Sequence, residues 1–323
     1  MKSAPPEGSP HGHLQYKADP AHGAAPGLEG RIALTIFTPT YNRAALLTRL
    51  FRSIAQQAHP GTPVEWLVID DGSSDDTPAH LAAFAEERPD LVRHLRVPNG
   101  GKHRAINHAA RAARGEWVLI VDSDDLLGAG ALADILRTLG HWHPRDHVGV
   151  LRGLRRFPAI RQGQPHFRVP RNPGSHAEWI SAQRGFDTVE VIRRTALLAH
   201  PFPEHAGERF MAESWLWHAL DASHEVHFLD RAWVDGFYQE GGLTARSRSL
   251  RVHAPLGAMD VYTAIYRSGA RWTIRARAAA NWWRYRFHAR SRHAGGDGRP
   301  AIPGWFAPVG WLMNWNDRLH LET

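Results

Sequence analysis

Three carboxylates at the end of a short apolar run have the spacing of a site for a divalent cation. Residues 117–121 form the run, which is bounded by glycines and too short for a core helix, so a strand buried on both faces is expected. Asp122, Asp124 and Asp125 follow it directly. Carboxylates this close repel one another, and their oxygens suit a hard divalent ion. From these residues alone, a turn whose aspartates cap the next helix is an equally good interpretation.

Three earlier segments repeat the same order of strand, polar turn and helix. Each begins with an apolar, strand-like run, passes through a polar turn and continues with apolar residues at helical spacing. Such alternation predicts an α/β fold with a parallel sheet and right-handed crossovers. The carboxyl ends of parallel strands share one edge, so the polar turns are expected to form one ligand site there. The three predicted strands are residues 32–38, 64–69 and 91–97.

Four polar motifs follow the predicted strands in a fixed order. They are Thr-Tyr-Asn-Arg at 40–43, Asp-Asp-Gly-Ser at 70–73, Asn-Gly-Gly-Lys-His at 99–103 with a following Asn107, and Asp-Ser-Asp-Asp at 122–125. In this combination the chain resembles the nucleotide-sugar domain of bacterial family 2 inverting glycosyltransferases. The resemblance is strong over residues 31–127 and extends more weakly to about residue 245. It implies the GT-A (Rossmann-like) fold, a mostly parallel sheet flanked by helices, and sugar transfer from a nucleotide diphosphate donor, most often a uridine diphosphate sugar.

The resemblance also implies roles for individual donor-site residues. Asp122 and Asp124 correspond to the two acids of an Asp-x-Asp signature, with Ser123 as its variable middle position. Asp124 would be the direct ligand of a divalent cation, Mn or Mg, which would stabilise the charge that develops on the leaving diphosphate. Asp71 resembles the acid that hydrogen-bonds the nucleobase. The residues expected to bind the nucleotide sugar are Pro39, Thr40, Tyr41, Arg43, Asp71, Lys102, Asn107, Asp122 and Ser123.

Several of these residues also have plainer interpretations. Lys102 follows two glycines at a predicted helix start, where its ammonium and the nearby backbone amides suit phosphate or sugar oxygens. The same pattern is also typical of a solvated surface lysine. The alternative for Tyr41 is a packing role, and the alternative for Asn42 is a helix cap.

Inverting transfer also needs a base that takes the proton of the acceptor hydroxyl. The family supplies an Asp or Glu at the start of a helix in its second half, and residues 202–217 resemble that segment. Glu213 occupies the expected position, although many relatives carry a second acid beside the base and this chain does not. Glu204 and Glu208 are weaker candidates, because both fall in a loop with Gly and Pro. The alternative for Glu213 is a surface glutamate favoured by the helix macrodipole.

Composition and the resemblance together divide the chain into three predicted parts. Residues 1–30 are rich in Pro, Gly, Ala and His and are expected to be disordered. Residues 31–245 form the predicted GT-A catalytic domain, with a nucleotide-sugar half at 31–127 and an acceptor half at 128–245. Residues 246–323 form a helical extension rich in basic and aromatic side chains.

Two further strands are predicted in the acceptor half, at residues 225–229 and 233–238. The string 238–244 resembles the segment that closes the catalytic domain in a bacterial branch of the family, where it faces the donor diphosphate. A glycine loop before a helix capped by Thr244 is the alternative.

Arginines interleave with aromatic residues in the C-terminal extension. Basic helices with Trp and Phe suit the headgroup region of an anionic membrane, which would bring a peripheral enzyme to a glycan or lipid-linked acceptor. The alternative is that these aromatics pack on the catalytic domain while the arginines stay solvated. No nucleic-acid recognition motif accompanies the net charge of +7, so no nucleic-acid partner is expected.

Composition also narrows the class of protein. The 323 residues contain no cysteine, which excludes disulfides and thiolate metal sites. No signal peptide or spanning apolar run of about 18 residues is recognisable, so a cytoplasmic protein is expected, either soluble or peripheral on the inner face of the membrane. A sugar nucleotidyltransferase or a dinucleotide dehydrogenase would need a glycine-rich loop after the first strand, which is absent. A catalytically inactive module that binds nucleotide sugars or membrane stays open as an alternative, as does the oligomeric state.

Overall fold

Eight strands in the described part of the chain form one sheet, in the order β3-β2-β1-β4-β7-β6-β8-β5. The computed structural model describes residues 31–142, 147–157, 174, 176, 187–237, 246–290 and 302–321. The predictions for residues 1–30 and 238–244 concern residues outside this set. The strands are β1 Leu34–Thr40, β2 Val64–Asp70, β3 Val92–Arg96, β4 Trp117–Ile120, β5 Leu126–Leu127, β6 Val148–Arg156, β7 Asp187–Arg193 and β8 Glu225–Asp235.

Strand β1 lies at the centre of the nucleotide-sugar half, between β2 and β4. It pairs in parallel with both, and β2 pairs in parallel with β3. Every residue of β1, β2 and β4 is buried, as their mainly apolar sequences predict for strands covered on both faces. The direction of winding reverses between β1 and β4, and ligands of open α/β sheets bind at such a point. The predicted α/β architecture with a mostly parallel sheet is confirmed.

The acceptor half extends this sheet in mixed orientation. Strand β7 pairs antiparallel with β4 and with β6, whereas β6 and β8 are parallel. The prediction of two separate strands at 225–229 and 233–238 was wrong, because β8 is one strand. The register of the pairing between β6 and β8 shifts between Arg152 and Leu154 of β6, so β8 stays paired on both sides of the polar residues in its middle. Gly153 permits this close approach, since a Cβ there would lie 2.6 Å from the Trp233 ring.

Helices cover both faces of the sheet and create two apolar cores. They are α1 Ala44–Ala55, α2 Thr77–Glu87, α3 Lys102–Ala112, α4 Ala131–Leu139, α5 Arg194–Ala199, α6 Ser214–Asp221, α7 Ser247–His253, α8 Pro255–Arg267, α9 Trp272–Arg290 and α10 Ala307–Leu321, with a 3-10 turn at Gly304–Phe306. One face packs against α1, α2 and α4 around Trp66 and Leu119. The other face packs against α3, α5 and α6 around Phe37 and Leu216.

The C-terminal region is helical in its described part, as predicted. Met259, Trp282 and Tyr285 form the centre of a third apolar cluster among these helices. Val261 of α8 packs into the second core of the sheet and so joins the two regions. In the ranges that the structure describes, no helix combines the length and the apolar character needed to cross a membrane.

Candidate active site

The four predicted polar motifs meet at the carboxyl edge of β1, β2 and β4. An Arg43 guanidinium nitrogen lies 2.7 Å from the carboxylate of Asp124. The backbone N–H of Gly100 donates to the carboxylate of Asp71 over 2.7 Å. The Lys102 ammonium lies 2.5 Å from the carboxylate of Asp122. Backbone contacts of Asn42 complete the set, so the prediction that the motifs share one edge of the sheet is confirmed.

Asn42 ties the first turn to the second. Its φ of 52° lies in the left-handed region, which asparagine tolerates better than most residues. Its side-chain oxygen accepts a hydrogen bond from the Ser74 N–H (2.7 Å), and its own N–H donates to the Ser73 hydroxyl (2.9 Å). The interpretation of Asn42 as the cap of α1 was therefore wrong. Arg43 holds the N-cap position without a capping hydrogen bond from its own side chain, and the Asp75 carboxylate accepts the Ala44 N–H of the first turn (3.2 Å).

Asp71 fixes the glycine loop before α3. Its buried carboxylate accepts hydrogen bonds from the N–H groups of Gly100 (2.7 Å) and Gly101 (2.8 Å). Burial raises the pKa of Asp71, and these two amides act in the opposite direction. Gly101 has a φ of 94°, and a Cβ there would lie 1.9 Å from the carbonyl oxygen of Arg209, so only glycine fits. The predicted contact of Asp71 with a nucleobase stays a prediction beside this observed role.

Lys102 joins the two halves of the predicted catalytic domain. Its ammonium lies 2.5 Å from Asp122 in the nucleotide-sugar half and 2.6 Å from Glu213 in the acceptor half. Burial would lower the pKa of Lys102, but the charges of these two carboxylates raise it above its ordinary value. The interpretation of Lys102 as a solvated surface lysine was wrong. Glu213 lies directly before α6, at the helix start where the sequence places it.

A further cation from the acceptor half reaches the same acidic cluster. Arg155 of β6 lies 2.5 Å from the buried carboxylate of Asp125. Burial raises the pKa of Asp125 to about 7, although the Arg155 charge opposes this shift. Burial would also raise the pKa of Asp122, but the Lys102 charge outweighs it and the pKa is lowered. Sequence reasoning missed Arg155, because its contact with Asp125 joins distant segments and no local pattern marks it as a site residue.

Asp122 and Asp124 lie at the carboxyl edge of the sheet, which is called the rim below. These two rim acids fit a divalent cation that also binds a diphosphate. The side chains of Asp122 and Asp124 are 31% and 17% exposed, so both offer oxygen atoms at the rim. Mg²⁺ and Mn²⁺ accept one or two carboxylates and take their remaining ligands from phosphates and water. In the described part of the chain, no group of three or more His, Cys, Asp or Glu side chains is arranged to hold an ion alone. An ion at this rim would therefore depend on the phosphate oxygens of a bound nucleotide.

Other predicted nucleotide-sugar residues line the rim or lie just below it. Pro39 and Thr40 end β1 and are buried, and the Thr40 hydroxyl has no hydrogen-bond partner among the described residues. Ser123 is also buried, whereas the Tyr41 side chain is 48% exposed. This exposure argues against a purely packing role for Tyr41 and leaves its ring accessible to a ligand.

Asn107 and two glutamates hold the loop that leads to Glu213. The Asn107 amide donates to the Phe202 carbonyl (3.0 Å) and to the Glu204 carboxylate (2.9 Å). The buried Glu208 carboxylate accepts hydrogen bonds of 2.8 Å from the first two backbone N–H groups of α8. Glu204 and Glu208 thus make structural contacts with Asn107 and α8, whereas Glu213 contacts Lys102, the partner of the rim acid Asp122. The donor-site role of Asn107 stays a prediction, since its observed contacts are with this loop.

Comparison with known proteins agrees with the site. Residues 35–175 match the family described as Glycosyl transferase family 2. Over this stretch, which is less than half of the chain, the protein is similar to a family 2 glycosyltransferase domain. This match contains all four motifs at the carboxyl edge of the sheet, and Glu213 follows beyond it.

The family 2 domain is similar in sequence to TarS of Staphylococcus aureus, a poly(ribitol-phosphate) beta-N-acetylglucosaminyltransferase. The two are 34% identical over 109 residues, which cover 34% of this chain and 19% of TarS. The similarity therefore spans less than a fifth of that relative's length.

Solved structures share the fold of the family 2 domain. Residues 1–349 of S. aureus TarS in complex with UDP-GlcNAc align with a TM-score of 0.57 at 21% identity, over 80% of this chain and 73% of that chain. The mannosyltransferase PcManGT from Pyrobaculum calidifontis, in complex with GDP-Man and Mn²⁺, aligns with a TM-score of 0.51 at 19% identity, over 90% of this chain and 81% of that chain. These likenesses confirm the predicted GT-A fold.

Proposed function

We propose that the protein is an inverting glycosyltransferase that moves a sugar from a uridine diphosphate donor to a hydroxyl group of a glycan or lipid-linked acceptor. The observation that carries the proposal is the position of Lys102. Its ammonium contacts both Asp122, a rim acid, and Glu213, the candidate base, so the two carboxylates lie within about 5 Å of each other. In direct transfer the acceptor hydroxyl attacks the sugar carbon that the diphosphate leaves, so the groups that bind the donor and the acceptor must lie close together.

The charged groups of the rim suit a donor diphosphate. Arg43 is partly exposed and pairs with Asp124, and a guanidinium binds phosphate oxygens through paired N–H donors. Asp122 and Asp124 would hold the divalent cation, Mn or Mg, which when bound would stabilise the charge on the leaving diphosphate. Tyr41 would line the pocket for the base and ribose, and Asp71 would keep the glycine loop in place beside it.

Glu213 would act as the base that takes the proton of the acceptor hydroxyl. In this structure the Lys102 ammonium holds its carboxylate. A donor phosphate would compete for the same ammonium, since phosphate oxygens are strong partners for lysine. Donor binding would then release Glu213 for proton transfer, which favours an order in which the donor binds before the acceptor.

The relatives support the chemistry of both substrates. TarS is named for transfer to poly(ribitol-phosphate), and its solved structure contains UDP-GlcNAc. A uridine diphosphate sugar is therefore the first donor to test, and a hydroxyl-rich polymer of the cell envelope is the first class of acceptor. A lipid-linked acceptor would place the reaction at a membrane surface.

A thermal-shift panel on the full chain tests the proposal. UDP, GDP, CDP and TDP sugars are each added with Mn²⁺, with Mg²⁺ and with chelator, because a ligand that binds the folded state raises Tm. We expect a metal-dependent rise in Tm with UDP sugars, together with slow hydrolysis of the same donor. No shift with any nucleotide sugar, from protein that circular dichroism shows to be folded, would refute the donor site. Binding without hydrolysis would instead indicate an inactive binding module.

A further inference from the structure

Helix α10 turns polar residues inward and apolar side chains outward. Gly310, Asn314 and Asp317 face the protein and are buried. A Cβ on Gly310 would lie 2.5 Å from the Trp283 side chain and 2.8 Å from a backbone nitrogen of α9, so glycine lets the two helices approach closely. The opposite face and the preceding turn expose Trp305, Val309, Trp311, Leu312, Trp315 and Leu319.

Asp317 fixes this orientation of the helix. Its fully buried carboxylate contacts side-chain nitrogens of Arg248 (2.9 Å), Arg284 (2.5 Å) and His288 (3.0 Å), which come from α7 and α9. Burial would raise the pKa of Asp317, but the hydrogen bonds from these three groups lower it, so the carboxylate stays charged. Turning α10 to bury its tryptophans would separate this charge from its partners. The fold therefore holds the apolar face outward.

The exposed apolar side chains form a patch and are not scattered. Among the described residues, six of the ten exposed large hydrophobic side chains lie between residues 305 and 319. The rings of Trp311 and Trp315 stack with centroids 5.8 Å apart, so the apolar surface continues along the helix. A continuous exposed apolar surface of this kind marks a binding site.

The net charge of the C-terminal region favours an anionic occupant. Residues 246–323 contain thirteen arginines, no lysine and four acidic residues, a formal charge of +9, whereas the whole chain carries +7. A second copy of the chain would bring a region of +9 against another of +9, which opposes self-association through this face. An anionic lipid surface attracts the same charge. The exposed arginines of this region include Arg246, Arg267, Arg271, Arg277 and Arg318.

We propose that α10 is a docking element that lies in the headgroup region of an anionic bilayer. Trp311, Leu312, Trp315 and Leu319 would enter the boundary between headgroups and acyl chains, where tryptophan is favoured. The exposed arginines would contact the anionic headgroups. Docking of this kind leaves the protein on the surface of the membrane and needs no spanning helix.

The docking element connects to the candidate active site through α8. The buried Glu208 carboxylate binds the N-terminus of α8, and His205 lies 2.6 Å from Asp260 of the same helix. Both residues belong to the loop that leads to Glu213. A bilayer bound by α10 would thus be mechanically linked to the acceptor side of the site. The docking itself does not rest on the proposed sugar transfer.

Vesicle co-sedimentation with the full chain tests the docking. Neutral phosphatidylcholine vesicles are compared with vesicles that contain about a third phosphatidylglycerol. We expect binding to the anionic vesicles only, with a blue shift of tryptophan emission. Replacing both stacked rings, Trp311→Ser with Trp315→Ser, should weaken binding about tenfold or more, because it removes the two indole rings from the apolar face of α10. Leu198→Ser, which changes an exposed leucine on α5, is the matched control and should bind like the unmodified chain.

A charge variant and the oligomeric state complete the test. Arg318→Glu keeps the rings and should weaken binding to a smaller extent, with a loss that shrinks at high salt. Absence of binding by the unmodified chain, or equal binding after both rings are replaced, would overturn the proposal. A dimer in analytical ultracentrifugation that the ring variant converts to a monomer would assign the face to a second copy instead. The thermal-shift panel with UDP sugars tests donor binding at the active site and does not depend on vesicles. A failure of the docking proposal can therefore be distinguished from a failure of the proposed function.

Discussion

The rim of the sheet and the C-terminal helices neutralise acidic side chains in different ways. At the rim, Asp122 and Asp124 are partly exposed, and their cation partners Lys102 and Arg43 are partly exposed as well. In the C-terminal helices, Asp317 is fully buried among three partners. A ligand or water can replace a partner in an exposed pair at small cost, whereas a buried charge has no replacement. Exposure of the pair, more than the number of charges, separates a binding site from a structural contact.

The two regions also place their apolar residues on opposite sides. The strands of the nucleotide-sugar half are buried on both faces, and their polar turns project at the edge. Helix α10 buries its polar residues and exposes its tryptophans. In the first region the polar ends of the strands indicate the site, and in the second the exposed apolar face indicates it.

Removing the Asp317 charge should have the largest effect on stability. Asp317→Asn keeps the shape but leaves Arg284 and His288 without their anion in a buried site, so the free energy of unfolding should fall by about 3 kcal/mol. Denaturant unfolding followed by circular dichroism measures this change. Asp90→Asn is the control, since Asp90 forms an exposed pair with Arg88, and should change stability by less than about 0.5 kcal/mol. A loss of less than about 1 kcal/mol for Asp317→Asn would contradict the structural role of the network.

Removing the Lys102 ammonium should have an intermediate effect that depends on pH. Burial would raise the pKa of Asp122, but the Lys102 charge lowers it overall, so ionised Asp122 is favoured in the folded state. This stabilisation is present above the ordinary aspartate pKa and is lost as pH falls through the lower pKa of the folded state. Lys102→Met should therefore cost about 1 kcal/mol at pH 7, and the cost should shrink below about pH 4.

Unfolding of the unmodified chain, Lys102→Met and Lys102→Arg across this pH range measures the effect. The arginine variant keeps the charge and should lose less stability at pH 7 than the methionine variant. A cost of Lys102→Met that stays the same at all pH values would contradict the electrostatic account.

Neutralising Asp124 should have the smallest effect on stability and a decisive effect on ligand binding. Asp124→Asn should change the free energy of unfolding by less than about 1 kcal/mol, because its pair with Arg43 is partly exposed. It should also abolish the metal-dependent rise in Tm with UDP sugars, since the rim loses one of its two carboxylates. Melting curves with and without donor measure both quantities, and Asp90→Asn again serves as the control. A full metal-dependent shift in Asp124→Asn would remove this residue from the proposed metal site.

Local sequence patterns were enough to predict the nucleotide-sugar half. Strands β1, β2 and β4 are mainly apolar runs too short for helices, and turn residues bound each of them. Once the alternation with helices indicates a parallel sheet, the convergence of the motifs follows from topology alone.

Contacts between distant segments were not predictable in this way. Arg155 reaches Asp125 only because β6 pairs into the same sheet, and no local pattern marks it as a site residue. Lys102 was expected on phosphate, and its contact with Glu213 depends on how the acceptor half packs. Strand β8 was divided in the sequence interpretation because Asp230 and Arg231 interrupt its apolar pattern, whereas pairing with β6 continues past them.

The C-terminal aromatics differ in burial between α9 and α10. Trp282 and Tyr285 of α9 are buried in the third apolar cluster, which α9 forms with other C-terminal helices, whereas the packing interpretation placed these aromatics on the catalytic domain. Trp311 and Trp315 of α10 are exposed, as a surface-binding interpretation requires. Periodicity could not distinguish the two helices, because the partners that fix Asp317 lie on other helices.

The central claim is that Glu213 is the base of a sugar transfer at the site joined by Lys102, and donor turnover by Glu213→Gln tests it most directly. Glutamine keeps the size of the side chain but cannot take a proton at neutral pH. We predict that UDP-sugar binding is at least as strong as in the unmodified chain, because Lys102 loses a competing carboxylate, while donor hydrolysis falls by roughly two to four orders of magnitude. Glu204→Gln, in the same loop, should retain turnover close to that of the unmodified chain. Undiminished turnover by Glu213→Gln would contradict the account.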